Sequence, residues 1–359
     1  MRELPERTLT REELTAALAA RQLLLERAQL TPAEAIRRLT PLQAQFAPAP
    51  YIALAARLEG FHRDALEAAF AAGDVVKTTI MRTTLHAVAA DEYAAYAQLS
   101  RQARLRNLRK VHSDLDLQRL ETELRVWLRE PRSNTELRER LWQLDGMTQD
   151  AWTPILFVRT LLPLVQFPPA GAWADRGRAP FVVHDGALPS LEDAATHVLR
   201  RYLAAFGPAS LRDAASWSGA TQRDFAGAAD RLGVVSVRGP DGAKLLDLPG
   251  APLPPADTPL PARLLGHWDQ PLLAYADRER IMPAEIAPLK LTISGDPTVT
   301  VDGRVAASWA WERGERVARI TVTPHVALRR GARTEIRAEA KRTARICEPD
   351  VSRVEVAFA

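Results

Sequence analysis

Apolar residues recur at helical spacing through most of the chain, and capping residues mark where the first runs begin. Thr10 and Thr31 each stand three residues before a glutamate, which is the pattern of a capping box at a helix start. After two further helical runs, residues 75–80 and 85–88 are rich in β-forming residues and joined by a short connection. Helices followed by a hairpin are the order of a winged-helix unit.

A second round of helical runs follows, at residues 115–128, 134–144 and 148–162, with a further capping box at Ser133. Extended segments around 165–167 and 180–183 can supply its hairpin.

The third round has the clearest signals. Ser190, Ser210 and Thr221 each precede an aspartate by three residues, and strands at 234–237 and 244–248 are joined by a turn. Three unequal rounds without obvious sequence identity predict an α+β fold of tandem winged-helix (helix-turn-helix) subdomains rather than a solenoid.

Six prolines between residues 249 and 261 predict a linker. Beyond it, the pattern predicts a small β-rich, barrel-like domain with strands at 289–293, 299–301, 304–311, 317–322 and 351–358 and a helix at 333–346. The predicted division is a first winged-helix unit at 1–112, a second at 113–189, a third at 190–248, the linker at 249–261 and the C-terminal domain at 262–359.

Two glutamines, Gln43 and Gln45, are separated by one residue and followed by Pro48 and Pro50. Because proline disfavours helical conformation in the preceding residue, the helix before the pair should end near Leu39. Side chains at i and i+2 of an extended segment point the same way, so both amides can face one point. Two amides, each able to donate and accept, can orient one water molecule. Ordinary polar residues of an interhelix loop are the alternative that the spacing leaves open.

Further short motifs accompany this pair along the chain. In order they are Leu42-Gln43-Ala44-Gln45, Met81-Arg82-Thr83-Thr84-Leu85-His86, Phe206-Gly207-Pro208-Ala209-Ser210, Trp217-Ser218-Gly219, Trp268-Asp269-Gln270-Pro271-Leu272 and Val301-Asp302-Gly303-Arg304. The set resembles the winged-helix bacterial DNA glycosylases of the AlkZ-like and YcaQ family, although Thr83 replaces the usual glycine. Since Gln45 is not an acid, the sequence is similar to the AlkZ-like branch.

The resemblance implies a DNA repair glycosylase that needs neither metal nor cofactor and acts on alkylated purines, above all N7-alkylguanine, in double-stranded DNA. It assigns catalysis to Gln43 and Gln45. Because no lysine adjoins the pair, hydrolysis by a monofunctional enzyme is expected rather than Schiff-base chemistry. Related proteins release bulky natural-product adducts and unhook interstrand crosslinks, and a crosslinked base cannot rotate freely out of the duplex.

Arg82, Thr84 and His86 alternate within the second motif and are expected to share one face of a strand. The resemblance gives them a role at the active site or on the DNA backbone. A strand-edge arginine and a half-buried histidine, each bonded to backbone carbonyls, are the alternative.

Five bases occur within ten residues that contain no acid, namely Arg101, Arg104, Arg106, Arg109 and Lys110. Because they come after the predicted hairpin of the first unit, which also contains the glutamine pair, we expect them to contact DNA phosphates. A solvated helix face is the alternative.

Composition and charge limit the partners, the compartment and the metal sites that can be expected. The net charge of +4 and the pI near 9.4 are compatible with a nucleic-acid partner. The single Cys347 excludes an intramolecular disulfide, and no signal peptide or membrane span is expected, which fits a cytoplasmic protein. The seven histidines show no metal-ligand spacing, so no metal site is expected, and no obligate protein partner is inferred.

The main alternative function is a non-enzymatic winged-helix DNA-binding protein or transcriptional regulator, because fold alone does not determine function. A protein-interaction scaffold is a third hypothesis. Release of free alkylguanine from an alkylated duplex would distinguish the enzyme from both.

Overall fold

A computed structural model describes residues 7–111, 115–143, 153–175, 177 and 179–359 of the chain. Helices and mostly antiparallel sheets are mixed along it, which confirms the α+β class. None of the helices within these ranges combines the length and the apolar character needed to cross a membrane.

As far as the structure describes it, the first part of the chain contains five α-helices and three strands. The helices are α1 (Arg11–Arg21), α2 (Pro32–Leu39), α3 (Ala49–Arg57), α4 (Arg63–Ala72) and α5 (Tyr93–Val111), and the strands are β1 (Leu42–Gln43), β2 (Val75–Thr79) and β3 (Leu85–Ala89). Both predicted capping boxes are present, with the side chains of Thr10 and Thr31 accepting backbone N–H groups of the first turn.

The second part contributes α6 (Leu117–Trp127), α7 (Asn134–Trp142), α8 (Thr153–Leu161), β4 (Leu164–Gln166) and β5 (Phe181–Val183). The five strands form one antiparallel sheet in the order β1-β3-β2-β4-β5. The first and second predicted units therefore share a sheet. The predicted boundary between residues 112 and 113, and the start of the helix predicted at 148–162, lie outside the described residues.

The third part confirms its predicted caps and hairpin. Its elements are α9 (Leu191–Phe206), α10 (Leu211–Ser218), α11 (Ala226–Leu232), β6 (Val235–Arg238) and β7 (Lys244–Asp247), with β6 and β7 paired. Ser190, Ser210 and Thr221 each cap the turn that follows them.

The C-terminal part contains a second five-stranded sheet in the order β12-β11-β10-β9-β8. Its elements are β8 (Arg263–Leu265), α12 (Gln270–Leu273), α13 (Leu291–Ser294), β9 (Thr298–Val301), β10 (Arg304–Arg313), β11 (Val317–Pro324), α14 (Ala332–Cys347) and β12 (Arg353–Phe358). Because β12 and β8 end the sheet on opposite sides, it is open, and the expected barrel-like closure is not found. The strand predicted at 289–293 is wrong, since two short helical turns lie there.

Two buried arginines join the C-terminal half to the N-terminal helices. Arg21 of α1 donates to Asp247 Oδ1 at 2.7 Å and, through Nη2, to the Pro252 carbonyl at 2.8 Å, which holds the proline-rich segment in place. Arg57 at the end of α3 donates to both carboxylate oxygens of Asp269, at 3.0 and 2.5 Å. The proline-rich segment is thus a fixed connection along its contact with α1.

Candidate active site

Gln43 lies at the edge of the first sheet, on the short strand that follows α2. It is directly opposite His86 in the antiparallel pair of β1 and β3, so the two side chains share one face of the sheet. Its Nε2 donates to Thr84 Oγ1 at 3.2 Å, and its Oε1 accepts from the Ala44 N–H at 3.1 Å. With 7% of its surface exposed, Gln43 has a fixed amide.

Gln45 extends the same ladder with its side chain. Its Oε1 accepts the Leu85 N–H at 3.3 Å, while the Ala44 N–H donates to the Leu85 carbonyl at 2.8 Å. Gln45 itself is exposed. The amide of Gln43 therefore attaches to Thr84 and that of Gln45 to the next residue, Leu85, and only the amide of Gln45 is open to solvent. That both amides face one point stays a prediction.

Arg82 lies in the turn between β2 and β3, so its predicted alternation along a strand with Thr84 and His86 is wrong. Met81–Thr83 form a single 3-10 turn in which Arg82 and Thr83 have φ angles of 51° and 64°. Glycine adopts this left-handed conformation without strain, whereas Thr83 adopts it here with a side chain.

The Arg82 guanidinium is largely enclosed by protein. Burial, and then the charge of Arg278, lower the pKa of Arg82 to about 10. Its Nη1 and Nη2 are buried and have no hydrogen-bond partner among the described residues.

His86, opposite Gln43 on the neighbouring strand, is fully buried. Its Nδ1 lies 3.0 Å from the Thr84 carbonyl oxygen, so Nδ1 carries the hydrogen and Nε2 is the acceptor. Nε2 is buried without a partner in the part of the chain that the structure describes. Burial, and then the charge of Arg82, lower the pKa of His86 to about 3, so the ring is neutral at physiological pH.

Motifs that are distant in sequence meet at this site. Gly219, at the end of α10, has a left-handed φ of 76°, and a Cβ there would lie only 3.1 Å from the Arg82 backbone nitrogen, so a side chain would be both strained and tightly packed against the turn. Gln270 links two other segments, since its Nε2 donates to the Pro41 carbonyl at 2.6 Å and its Oε1 accepts from Trp217 Nε1 at 3.2 Å. The motifs that contain Arg82, Trp217 and Gln270 therefore contact one another close to Gln43.

The five bases of α5 have different environments. Arg101 is 7% exposed and donates to the carbonyls of Thr160 and Leu161 at the end of α8. Arg104 is half-buried, and burial lowers its pKa to about 10. The three exposed members are Arg106, Arg109 and Lys110. A shared phosphate-binding role for all five stays a prediction.

Sequence analysis missed an aromatic cluster beside Gln45. The Phe46 ring lies 4.2 Å from the His267 ring and 6.2 Å from the Trp311 ring, measured between centroids. His267 also lies 6.2 Å from Trp268. Two features of the sequence pointed to these residues, because Phe46 directly follows the glutamine pair and Trp268 belongs to a family motif. Their contacts with His267, however, depend on the tertiary fold.

A family model described as DNA glycosylase AlkZ-like matches residues 36–346, a span that contains the glutamine pair and all the other motifs named above. The chain belongs to the AlkZ-like DNA glycosylase family. It is therefore a DNA glycosylase of the repair class, whose members cleave N-glycosyl bonds in DNA.

The AlkZ-like fold is also found in a solved structure. The chain is similar to Streptomyces sahachiroi DNA glycosylase AlkZ, with a TM-score of 0.80 and 22% sequence identity, over 98% of this chain and 100% of that one. At this identity the likeness establishes a shared fold. A search of curated proteins found no match.

Proposed function

We propose that the protein hydrolyses the N-glycosidic bond of alkylated purines in duplex DNA, with N7-alkylguanine as the principal substrate. Alkylation at N7 places a positive charge on the base, which makes it a good leaving group. The remaining task is to stabilise an oxocarbenium-like sugar and to place a water at C1′. Oriented amide dipoles can do this without a strong base.

The exposed amide of Gln45, held at Leu85, is the observation that carries this proposal. Its second oxygen lone pair and its NH2 group are available to a water or a sugar oxygen at the surface of the site. Gln43 is the positioning partner, because its amide is bonded on both sides and keeps Thr84 in place. Preorganised dipoles of this kind need little rearrangement during the reaction.

Hydrolysis without strand cleavage is the expected chemistry. Lys77 belongs to the same sheet, but it pairs with Ala87 and so projects from the face opposite to Gln43 and His86. Its Nζ bonds to Asp175 at 2.7 Å, and the residue is 2% exposed. It is therefore not placed to form a Schiff base at the glutamine pair, which supports a monofunctional enzyme.

Bulky adducts and interstrand crosslinks are included as substrates. A crosslinked base cannot be rotated fully out of the duplex, so the enzyme must reach it from a groove. Gln45 lies at an exposed sheet edge, which suits such an approach.

The helical sets with their strands are proposed to be winged-helix units at 1–112, 113–189 and 190–248, ahead of a linker and a C-terminal β-rich domain. DNA contacts are proposed for Arg82, Thr84 and His86 near the pair, and for the bases of α5. Among the latter, Arg106, Arg109 and Lys110 are exposed and can reach phosphates directly.

The deciding experiment incubates the purified protein with a methylated duplex and separates the free bases by chromatography. Free 7-methylguanine, together with an abasic strand that breaks only after alkali treatment, is the expected result. Tight DNA binding without base release would support the regulator instead. Strand breakage without alkali would contradict monofunctional hydrolysis.

A further inference from the structure

We propose that Phe46, His267, Trp268 and Trp311 form a stacking site that recognises the planar, positively charged ring of the damaged base beside Gln45. This inference rests on the proposed function and assigns lesion recognition to residues outside the glutamine motif. We call these four residues the aromatic site.

The aromatic site is assembled from three segments. Phe46 follows Gln45 directly, His267 and Trp268 lie between β8 and α12, and Trp311 lies on β10. The His267 ring occupies the centre, 4.2 Å from the Phe46 centroid and 6.1 Å from that of Trp311. All four residues are only half-buried, so part of the cluster is accessible from outside.

Trp268 is held in a costly backbone conformation. Its φ is 49°, a left-handed value that a bulky residue rarely adopts, and such strain persists where the surroundings enforce it. The Trp268 indole packs closely over Gly295, where a Cβ would collide with the ring, so a glycine at this position is needed to accommodate the indole. The next residue, Asp269, is fixed by Arg57. The position of the indole is therefore imposed by the fold.

An unsatisfied polar atom also marks the aromatic site. His267 Nδ1 is buried and has no hydrogen-bond partner in the described ranges of the chain. A buried polar atom left unpaired costs free energy, and a ligand that bonds to this nitrogen would recover that cost. Trp309 provides the contrast, because it is 3% exposed and its Nε1 donates to the Leu265 carbonyl at 2.9 Å. Trp309 is an ordinary core residue, whereas the aromatic site is only partly covered.

The charge around the aromatic site favours a cation. Burial lowers the pKa of His267 to about 4, so this ring is neutral at pH 7. The Asp296 carboxylate is exposed and close enough to oppose that lowering, and it acts on His325 in the same way. The faces of aromatic rings attract positive charge. An acid beside DNA phosphates is unfavourable unless a positive group offsets its charge, and a positively charged base would provide that charge.

The test compares the affinities for two duplexes that differ in the charge of one base. Both carry a 2′-fluoroarabino sugar at this position, which resists hydrolysis; the base is cationic N7-methylguanine in one duplex and neutral 7-methyl-7-deazaguanine in the other. The wild type is expected to prefer the cationic duplex by about three- to tenfold, the range that cation–π contacts support. Trp311→Leu and Phe46→Leu should remove most of this preference. Asp296→Asn should reduce it about twofold, since the carboxylate is exposed.

Trp142→Leu is the matched control, because Trp142 is an exposed tryptophan on α7. It should keep the full preference. The ratio of the affinities for the cationic and the neutral duplex is measured within each variant. A general loss of folded protein lowers both affinities equally and so leaves this ratio unchanged.

Unchanged ratios in both Trp311→Leu and Phe46→Leu, or no preference in the wild type, would overturn the aromatic site. Base release from the methylated duplex is measured in parallel. Normal release with unchanged ratios would reject the aromatic site alone, whereas absent release would reject the proposed function.

Discussion

Arg57 and Asp269 form a bidentate salt bridge in which neither side chain is exposed to solvent. Arg57 ends the helix that begins four residues after Gln45, and Asp269 directly follows Trp268. The pair therefore helps to set the position of the glutamine motif relative to the aromatic site.

Removing one partner of this pair should strongly destabilise the protein. Asp269→Ala leaves a buried guanidinium without its counter-charge, which typically costs about 3–5 kcal/mol. Urea unfolding would measure the loss. Glu355→Ala is the control, because its partner Arg319 is exposed, and surface pairs contribute less than about 1 kcal/mol. Similar losses in the two variants would show that the buried pair has no special structural role.

Gln45→Ala should lower single-turnover base release about a hundredfold, the typical effect of removing one preorganised dipole. DNA affinity and melting temperature should stay near those of the wild type, since Gln45 is exposed. Gln222→Ala, at another exposed glutamine, is the control. If affinity falls in step with base release, Gln45 is a DNA contact rather than a catalytic group.

Gln45→Asp should retain much more release of N7-methylguanine than Gln45→Ala. A carboxylate can accept a proton from water and stabilise the positive sugar, although it is too short to keep the bond to Leu85 in the same geometry. Single-turnover release with enzyme in excess is the measurement. Equal inactivity of the two folded, DNA-bound variants would argue against water positioning by Gln45.

The bases of α5 should separate into two classes. Neutralising Arg109 and Lys110, which are exposed, should make the salt dependence of DNA binding shallower by about 0.9 per lost phosphate contact. Arg101→Gln should instead lower stability, because its guanidinium bonds to the end of α8. An unchanged salt slope in the double variant would identify a solvated helix face.

Stability should fall as the pH falls from about 6.5 toward 4. The pKa is about 3 for His86 and about 4 for His267 in the folded protein, against about 6.5 in the unfolded chain, so the unfolded state binds more protons in this window. For each histidine, protonation in the unfolded chain should lower the free energy of unfolding by on the order of 1–2 kcal/mol between pH 7 and 5. His267→Phe keeps a ring on Phe46 and should reduce the loss seen in urea unfolding. An equal loss in the variant would contradict the assignment.

Local signals predicted local structure well in this chain. The caps at Thr10 and Thr31, and the extended conformation at Gln43, depend on neighbouring residues and are confirmed, whereas Gln45 lies in a bend just after the strand. The strand predicted at 289–293 failed because Lys290 and Gly295 adopt left-handed conformations that break the segment into short turns.

The remaining site features depend on contacts between distant segments. The burial of Arg101 requires α8, and the αL turn at Arg82 forms against Gly219. The cluster of Phe46 with His267 requires the C-terminal part to dock on α3. No periodicity or spacing carries that information, and only the family motifs indicated that these segments matter together.

Because the Gln45 side chain accepts the Leu85 N–H, the state of the candidate active site can be followed through this backbone amide. In a regular ladder the Leu85 N–H would bond to a backbone carbonyl, but here a side chain takes that place. Protection of this one amide against hydrogen–deuterium exchange therefore depends on whether the Gln45 side chain is in position. The occupancy of the reactive arrangement, with and without a damaged duplex, can be followed at a single peptide group without substrate turnover.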